Sequence, residues 1–154
     1  MSKEEVVDVD YMSILADLFQ EEDHARQMAR QLMEAANHSK EAAAKERVSL
    51  LEFLHGPMER HMDYEERSLF PRLIDRGLAA EVSVAEKQHS ILREKRTLLD
   101  SIPAEEVAAR GEEVAHLIFD IARLMLHHTN FEGDYIYPEL NKQDWVELME
   151  ETIH

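Results

Sequence analysis

Residues 61–71 read His61-Met62-Asp63-Tyr64-Glu65-Glu66-Arg67-Ser68-Leu69-Phe70-Pro71, and the interpretation of the whole chain starts from them. The pattern returns at residues 128–138, which read His128-Thr129-Asn130-Phe131-Glu132-Gly133-Asp134-Tyr135-Ile136-Tyr137-Pro138. On an α-helix, side chains four residues apart lie on one face, about 5–6 Å apart at Cβ. Each copy can therefore present one imidazole and one carboxylate to the same point.

The composition predicts a helical protein that attracts cations. The 154 residues are 44% hydrophobic, with only four glycines and four prolines, and helix-forming residue types dominate. The net charge of −16 argues against binding to nucleic-acid phosphates and to anionic lipid. Because the chain has no cysteine, thiol catalysis and Cys-ligated zinc or iron–sulfur sites are excluded. Any metal must be held by histidine and carboxylate.

The length fits a single domain over residues 1–154. Residues 1–10 are polar and acidic, and we expect them to form a loose lead-in. The sequence shows no signal-peptide pattern and no run of about 18 apolar residues. We therefore expect a soluble, cytoplasmic protein without a membrane partner.

Apolar residues recur at helical spacing in four long segments. Because the periodicity continues through Gly56-Pro57, we predict a kink there and not a helix end. Short connections between such helices predict an all-α, up-down-up-down four-helix bundle. Residues 142–153 are predicted to form a short helix packed over one end. The four long helices are expected at about 11–36, 41–71, 79–99 and 103–132.

We interpret the chain as two copies of one helical hairpin. His61 pairs with His128, and His24 pairs with His89 at a nearly equal separation along the chain. Each copy would supply one histidine from its first helix and His-x-x-x-Glu from its second. A row of surface i,i+4 pairs is the alternative, but apolar residues share these faces. Buried imidazoles and carboxylates are costly unless they are paired or bind metal. The predicted metal ligands are His24, His61, Glu65, His89, His128 and Glu132.

This donor set is too large for one catalytic zinc, which takes three protein ligands. It suits two ions bridged by carboxylates about 3.5–4 Å apart. Nitrogen and oxygen donors with open positions favour non-haem iron, with manganese or zinc as substitutes. The open positions could take water, O₂ or another small ligand.

In these residues the chain resembles the hemerythrin-like (HHE cation-binding) domain family, over nearly its whole length. The resemblance implies a four-helix bundle around a carboxylate-bridged di-iron centre. Oxygen-carrying members have a further histidine four residues after the third-helix histidine, where this chain has Arg93. The four-His, two-Glu set is closer to domains of iron-centre-repair proteins and iron-responsive regulators. The cysteine-bearing N-terminal segment of many repair proteins is absent, which argues against that assignment.

A ferritin-like di-iron bundle is the alternative fold. It would use Glu-x-x-His at 21–24 and 86–89 together with Glu65 and Glu132. That assignment leaves His61 and His128 unexplained. Glu21 and Glu86 therefore stay as candidates for supporting or iron-entry roles, with solvated charges as the simpler explanation.

Two positions leave alternatives open. His127 lies five residues before Glu132, the spacing of the oxygen carriers, but His128 keeps the repeat and is favoured. Arg93 lies one turn after His89, so its guanidinium either approaches the centre, where it cannot coordinate, or pairs with a carboxylate. Without a fifth imidazole we expect two similar, incompletely filled iron sites that oxidise irreversibly.

Three functional classes are compatible with such a centre. Binding or sensing of O₂, NO or iron is favoured, because no separate acid, base or nucleophile can be named. An enzyme acting on peroxide or NO is one alternative, since open iron positions can activate peroxide unaided. Iron storage or delivery, including repair of iron centres, is the other.

Overall fold

The computed structural model describes the backbone of residues 3–153 and the side chains of residues 17–151. Within these limits every regular element is helical, which confirms the all-α class. Two π-helical turns, Glu65–Leu69 and Glu132–Ile136, and two 3₁₀ turns, Ala104–Glu106 and Tyr137–Glu139, lie between the α-helices. The α-helices are α1 (Lys3–His38), α2 (Lys40–Lys45), α3 (Arg47–His55), α4 (Pro57–Tyr64), α5 (Phe70–Asp75), α6 (Ala79–Asp100), α7 (Gly111–Phe131) and α8 (Lys142–Ile153).

Four helical arms form a bundle. The first is α1, the second runs from α2 to α5, the third is α6, and the fourth is α7 with the turns that follow it. α1 packs along α7, and α6 packs against α7 and α5. α8 lies against α1. The up-down-up-down order of the arms stays a prediction.

The first and fourth arms begin at positions that the sequence did not predict. α1 begins at Lys3, so it includes most of the expected lead-in at 1–10, while residues 1 and 2 lie outside the described chain. Acidic residues favour a helix N-terminus, and this segment contains no glycine or proline. α7 begins at Gly111 and not near 103, because the preceding backbone makes i,i+3 bonds such as Val107 N–H to the Ala104 carbonyl. Glycine also lowers helix propensity there.

The second arm contains the predicted kink. α3 ends at His55, α4 begins at Pro57, and the Arg60 N–H still donates to the Gly56 carbonyl, so helical bonding continues across the break. The arm continues beyond Pro71, where its end was predicted, to Asp75. Proline is tolerated there because it lies in the first turn of a new α-helical segment. Gly77, with φ of 87°, then makes the turn into α6.

Each π turn begins at the glutamate of a His-x-x-x-Glu pair. The Phe70 N–H donates to the Glu65 carbonyl, and the Tyr137 N–H donates to the Glu132 carbonyl, each reaching back five residues. Such a turn adds one residue and so rotates the following side chains by about 100° relative to a regular α-helix. Phe70 and Tyr137 are thereby buried. π turns often occur at functional sites.

The apolar core has two parts, and the polar cluster described below lies where the arms pass from one to the other. Met62 and Met125 belong to the first part. Leu69 and Ile136 belong to the second. Glu65 and Glu132 lie between these residues along arms two and four, so they are placed at the junction. In the described part of the chain, no helix is long and apolar enough to cross a membrane.

Candidate metal centre

Six buried polar side chains converge at this junction, three imidazoles and three carboxylates among the side chains described. They form two groups, and within each group the candidate ligand atoms lie within 4.8 Å of one another. Glu65 and Glu132 belong to both groups. One group is completed by His89 and His128, and the other by Glu22 and His61.

The structure brings together five of the six predicted ligands. The exception is His24, whose side chain is exposed and whose ring centroid lies 5.2 Å from that of Phe53. Glu22 is 3% exposed and occupies the place expected for His24. Residues two apart on a helix do not share a face, so α1 can turn only one of them inward.

A uniform repeat explains this difference. The number of residues that separates His61 from His128 also separates Glu22 from His89 and Glu21 from Gln88. The sequence interpretation matched His24 to His89, which needs a slightly shorter step, and therefore missed Glu22. The separation between the two His-x-x-x-Glu pairs, counted back from His89, leads to Glu22.

The remaining candidates lie outside the two groups. His127 is exposed, whereas His128 is fully buried and belongs to the cluster. Glu86 and Glu21 are both exposed, but a carboxylate oxygen of Glu21 contacts His61. The ferritin-like alternative needs His24 and Glu86 at the centre, so this geometry does not favour it.

A hydrogen bond orients each of the three imidazoles through the ring nitrogen that points away from the cluster. A carboxylate or amide oxygen can only accept a hydrogen bond, so each Nδ1 is the donor and each Nε2 faces the cluster. This is the usual arrangement of a histidine that binds metal. The pairs are His61 Nδ1 with Glu21 Oε2 at 2.7 Å, His89 Nδ1 with Glu66 Oε2 at 2.6 Å, and His128 Nδ1 with Gln88 Oε1 at 2.7 Å.

In the described part of the chain, five of the six inward-facing carboxylate oxygens lack a hydrogen-bond donor, and the exception is Glu65 Oε2. His89 Nε2 and His128 Nε2 lie 3.0 Å apart. Among the described residues, no donor bonds to either oxygen of Glu22 or Glu132, or to Oε1 of Glu65, although Arg26 Nη2 lies 3.5 Å from Glu22 Oε2 as an ion pair. His128 Nε2 lies 3.0 Å from Glu132 Oε1, which is an ion pair only when the imidazole carries a second proton. Buried charges need compensation. These donors therefore fit a bound cation.

In the absence of a cation, protons compensate the carboxylates. Burial alone would lower the pKa of His61, but the surrounding carboxylates, Glu65 foremost, raise it well above its usual value. The pKa of His128 is raised for the same reason, chiefly by Glu132. Burial would raise the pKa of Glu132, but His128, Glu65 and His61 lower it to about 2. A metal must displace the imidazole protons, so its affinity should rise with pH.

Arg93 does not reach the centre and instead supports it. Its Nε lies 3.1 and 3.0 Å from the two oxygens of Glu59, and its Nη1 donates to Glu66 Oε2 at 2.7 Å. Glu66 in turn holds His89 through Nδ1. The interpretation that Arg93 pairs with a carboxylate is thus the one that the structure supports. Arg93 fixes the partner of a candidate ligand.

Tyr137 is a site residue that the sequence interpretation missed. Its buried hydroxyl donates to Glu65 Oε2 at 3.0 Å and lies 3.3 Å from His61 Nε2. Burial and the nearby carboxylates raise its pKa well above the usual value. The repeat pairs Tyr137 with Phe70, whose ring stacks on His89 at 5.5 Å between centroids. The hydroxyl that Tyr137 carries and Phe70 lacks was the available signal.

Three aromatic residues of the duplicated motifs, Tyr64, Phe131 and Tyr135, lie outside the two four-ligand groups. Tyr135 is 55% exposed. Tyr64 and Phe131 are partly buried against the second part of the core.

A small cavity opens beside the centre on the side of Glu22 and His61. Its volume is about 30 Å³, and Glu132 and His128 also line it. His24 and Phe53 form another part of its wall. The cavity has room for about two water-sized molecules.

Searches of curated proteins and of solved structures gave no match. The family model of the hemerythrin HHE cation binding domain matches residues 13–140, a span that contains both His-x-x-x-Glu pairs, Glu22 and His89. A match over this much of the sequence, together with a buried histidine and carboxylate cluster in a helical bundle, shows that the chain belongs to the hemerythrin HHE cation-binding domain family.

Proposed function

We propose that this chain binds two iron ions at the six-residue centre and uses them to bind or sense O₂ or NO. The observation that carries the proposal is that Glu65 and Glu132 belong to both four-ligand groups. Shared carboxylates suit two ions about 3.5–4 Å apart. Nitrogen and oxygen donors favour iron, with manganese or zinc as substitutes. When bound, a reduced iron pair would supply open positions for a small ligand and the electrons to reduce it.

The size of the cavity supports a ligand of two or three atoms. About 30 Å³ beside Glu22 and His61 has room for O₂, NO or peroxide. Ala25, Phe53 and Met58 make part of this wall apolar. An apolar wall favours entry of a neutral diatomic molecule over that of an ion.

The protein residues would fix the geometry of the centre. Glu21, Glu66 and Gln88 hold the imidazoles with Nε2 inward, while Tyr137 holds one oxygen of Glu65. The two parts of the apolar core exclude bulk water on either side. Exclusion of water strengthens the electrostatic attraction between the carboxylates and a cation.

Rapid mixing of reduced, iron-loaded protein with NO, O₂ and peroxide tests the proposal. We expect saturable binding of NO, and irreversible oxidation by O₂ that vacuum does not reverse. His128→Ala should lose both responses, whereas His127→Ala, altered at the exposed neighbour, should keep them. Many turnovers of peroxide or NO would instead identify an enzyme. Net loss of iron to an acceptor would identify storage or delivery.

A further inference from the structure

The two halves of the centre differ in chemistry, although the repeat makes them equivalent in position. In the repeat that relates His61 to His128, Glu22 corresponds to His89, and Phe70 corresponds to Tyr137. Both differences place an oxygen atom on the same side of the centre. We call the group around Glu22 and His61 the oxygen-rich half, and the group around His89 and His128 the nitrogen-rich half.

Glu65 shows how the halves divide. Its Oε2 lies 3.5 Å from His61 Nε2 and accepts from the Tyr137 hydroxyl at 3.0 Å. Its Oε1 lies 3.2 Å from His89 Nε2. One carboxylate therefore turns a different oxygen to each half, so an ion in either half would be held by one of its oxygens.

The donor count follows from this division. Apart from the shared carboxylates, the oxygen-rich half has one imidazole and the carboxylate of Glu22, whose Oε1 lies 3.6 Å from His61 Nε2. The nitrogen-rich half has two imidazoles, with His89 Nε2 and His128 Nε2 3.0 Å apart. Carboxylate donors suit manganese and magnesium, and imidazole donors suit iron and zinc.

From these contacts we infer that the centre is two inequivalent metal sites that both accept iron but differ in preference: when two metals compete, the His89 and His128 half takes a borderline ion such as Zn²⁺, and the Glu22 and His61 half takes a harder ion such as Mn²⁺. The inference rests on the proposed two-metal centre and deepens it. It replaces the expectation of two similar iron sites. The ligand cavity opens on the oxygen-rich half, so in a mixed pair the harder ion would lie beside it.

Metal titration of the metal-free protein tests the inference without any activity assay. One equivalent of Zn²⁺ is added, followed by excess Mn²⁺, and the desalted protein is examined by elemental analysis and by electron paramagnetic resonance. We expect one Zn²⁺ and one Mn²⁺ per chain, with the spectrum of isolated Mn²⁺, because Zn²⁺ is diamagnetic. Spectra of coupled Mn²⁺ pairs would show that Zn²⁺ does not discriminate between the halves, and would overturn the inference.

Exchange of Glu22 provides the matched variant. Glu22→His makes the two halves alike in donor type, so the preference for a mixed pair should disappear and coupled Mn²⁺ pairs should form. Glu86→His introduces the same change at an exposed position outside the cluster and should behave as the wild type. Retention of the mixed pair by Glu22→His would refute the inference. Circular dichroism checks that each variant is folded. If Glu22→His does not fold, Glu22→Gln replaces it, because glutamine keeps the shape of the side chain but lacks its charge. Glu22→Gln should bind Mn²⁺ more weakly than the wild type.

The outcomes separate the two proposals. If the wild type binds two ions without distinguishing the halves, the two-metal centre stands and the inequivalence fails. If it binds a single ion under all conditions, the two-metal centre itself fails.

Discussion

Replacing Tyr137 by phenylalanine should destabilise the protein through one lost hydrogen bond. The hydroxyl donates to Glu65 Oε2 at 3.0 Å, and both side chains are buried, at 6% and 0% exposure. A hydrogen bond to a charged group contributes about 1.5–3 kcal/mol. In a domain of this size, each kcal/mol corresponds to about 2–4 °C in Tm, so the expected fall is about 3–12 °C.

The size of the effect should depend on metal. In metal-free protein the change removes the donor from Glu65 Oε2, and Glu65 Oε1 already has no donor among the described residues. A cation bound to Glu65 would compensate its charge, so the loaded protein should lie near the lower end of the range. The cost is therefore expected to be larger without metal than with it.

Thermal and urea unfolding of both forms provide the measurement. Tyr135→Phe is the matched control, because Tyr135 is 55% exposed, and such surface changes stay within about 0.5 kcal/mol. A Tyr137→Phe protein no less stable than Tyr135→Phe would refute the role assigned to this hydroxyl. Equal losses with and without metal would refute the link between Glu65 and the cation.

Three further predictions address the centre. Metal-free protein should lose stability as the pH rises above about 6.5. The pKa values of His61 and His128 are higher in the folded protein than the unfolded value of 6.5. Protonation of these imidazoles therefore stabilises the fold fully below pH 6.5, and this stabilisation is lost as the pH passes the raised pKa values. Thermal melts between about pH 6 and 9 measure this, and a Tm that climbs with pH would contradict it. Glu66→Ala should weaken metal binding about 10–100-fold, by calorimetric titration, because it frees His89 Nδ1. The control is Glu147→Ala, which breaks the ion pair between Glu147 on α8 and Arg72 on α5. It should leave the metal affinity unchanged. His128→Ala should lose metal and His127→Ala should retain it, as elemental analysis will show, and the reverse result would mean that α7 follows the oxygen-carrier spacing.

Helical periodicity and the duplicated His-x-x-x-Glu pair predicted much of the fold. The kink at Gly56-Pro57 followed from apolar spacing that continues through it. The π turns did not follow, because apolar residues stand at both Leu69 and Phe70, so the spacing fits a helix with or without the added residue. The start of α7 at Gly111 was likewise not predicted, since apolar spacing alone does not separate an α-helix from a preceding series of i,i+3 turns.

At the site, the structure brings the predicted residues together where the motif fixed their register, and it does not where only residue type supported the prediction. His61, Glu65, His128 and Glu132 are spaced by one helical turn within each pair, so their common orientation follows from geometry. His24 and Glu22 are two residues apart on α1, and the choice between them depends on how α1 is rotated in the bundle. Packing sets that rotation, and histidine is not favoured over glutamate by packing alone. Tyr137 was missed because its aromatic ring suits the core as well as the centre.

The most direct test of the two-metal centre is its stoichiometry. Metal-free protein is titrated with Fe²⁺ under anaerobic conditions, desalted and analysed for iron and protein. The shared use of Glu65 and Glu132 by two four-ligand groups predicts close to two tightly bound ions per chain. One bound ion per chain, or none, would contradict the account.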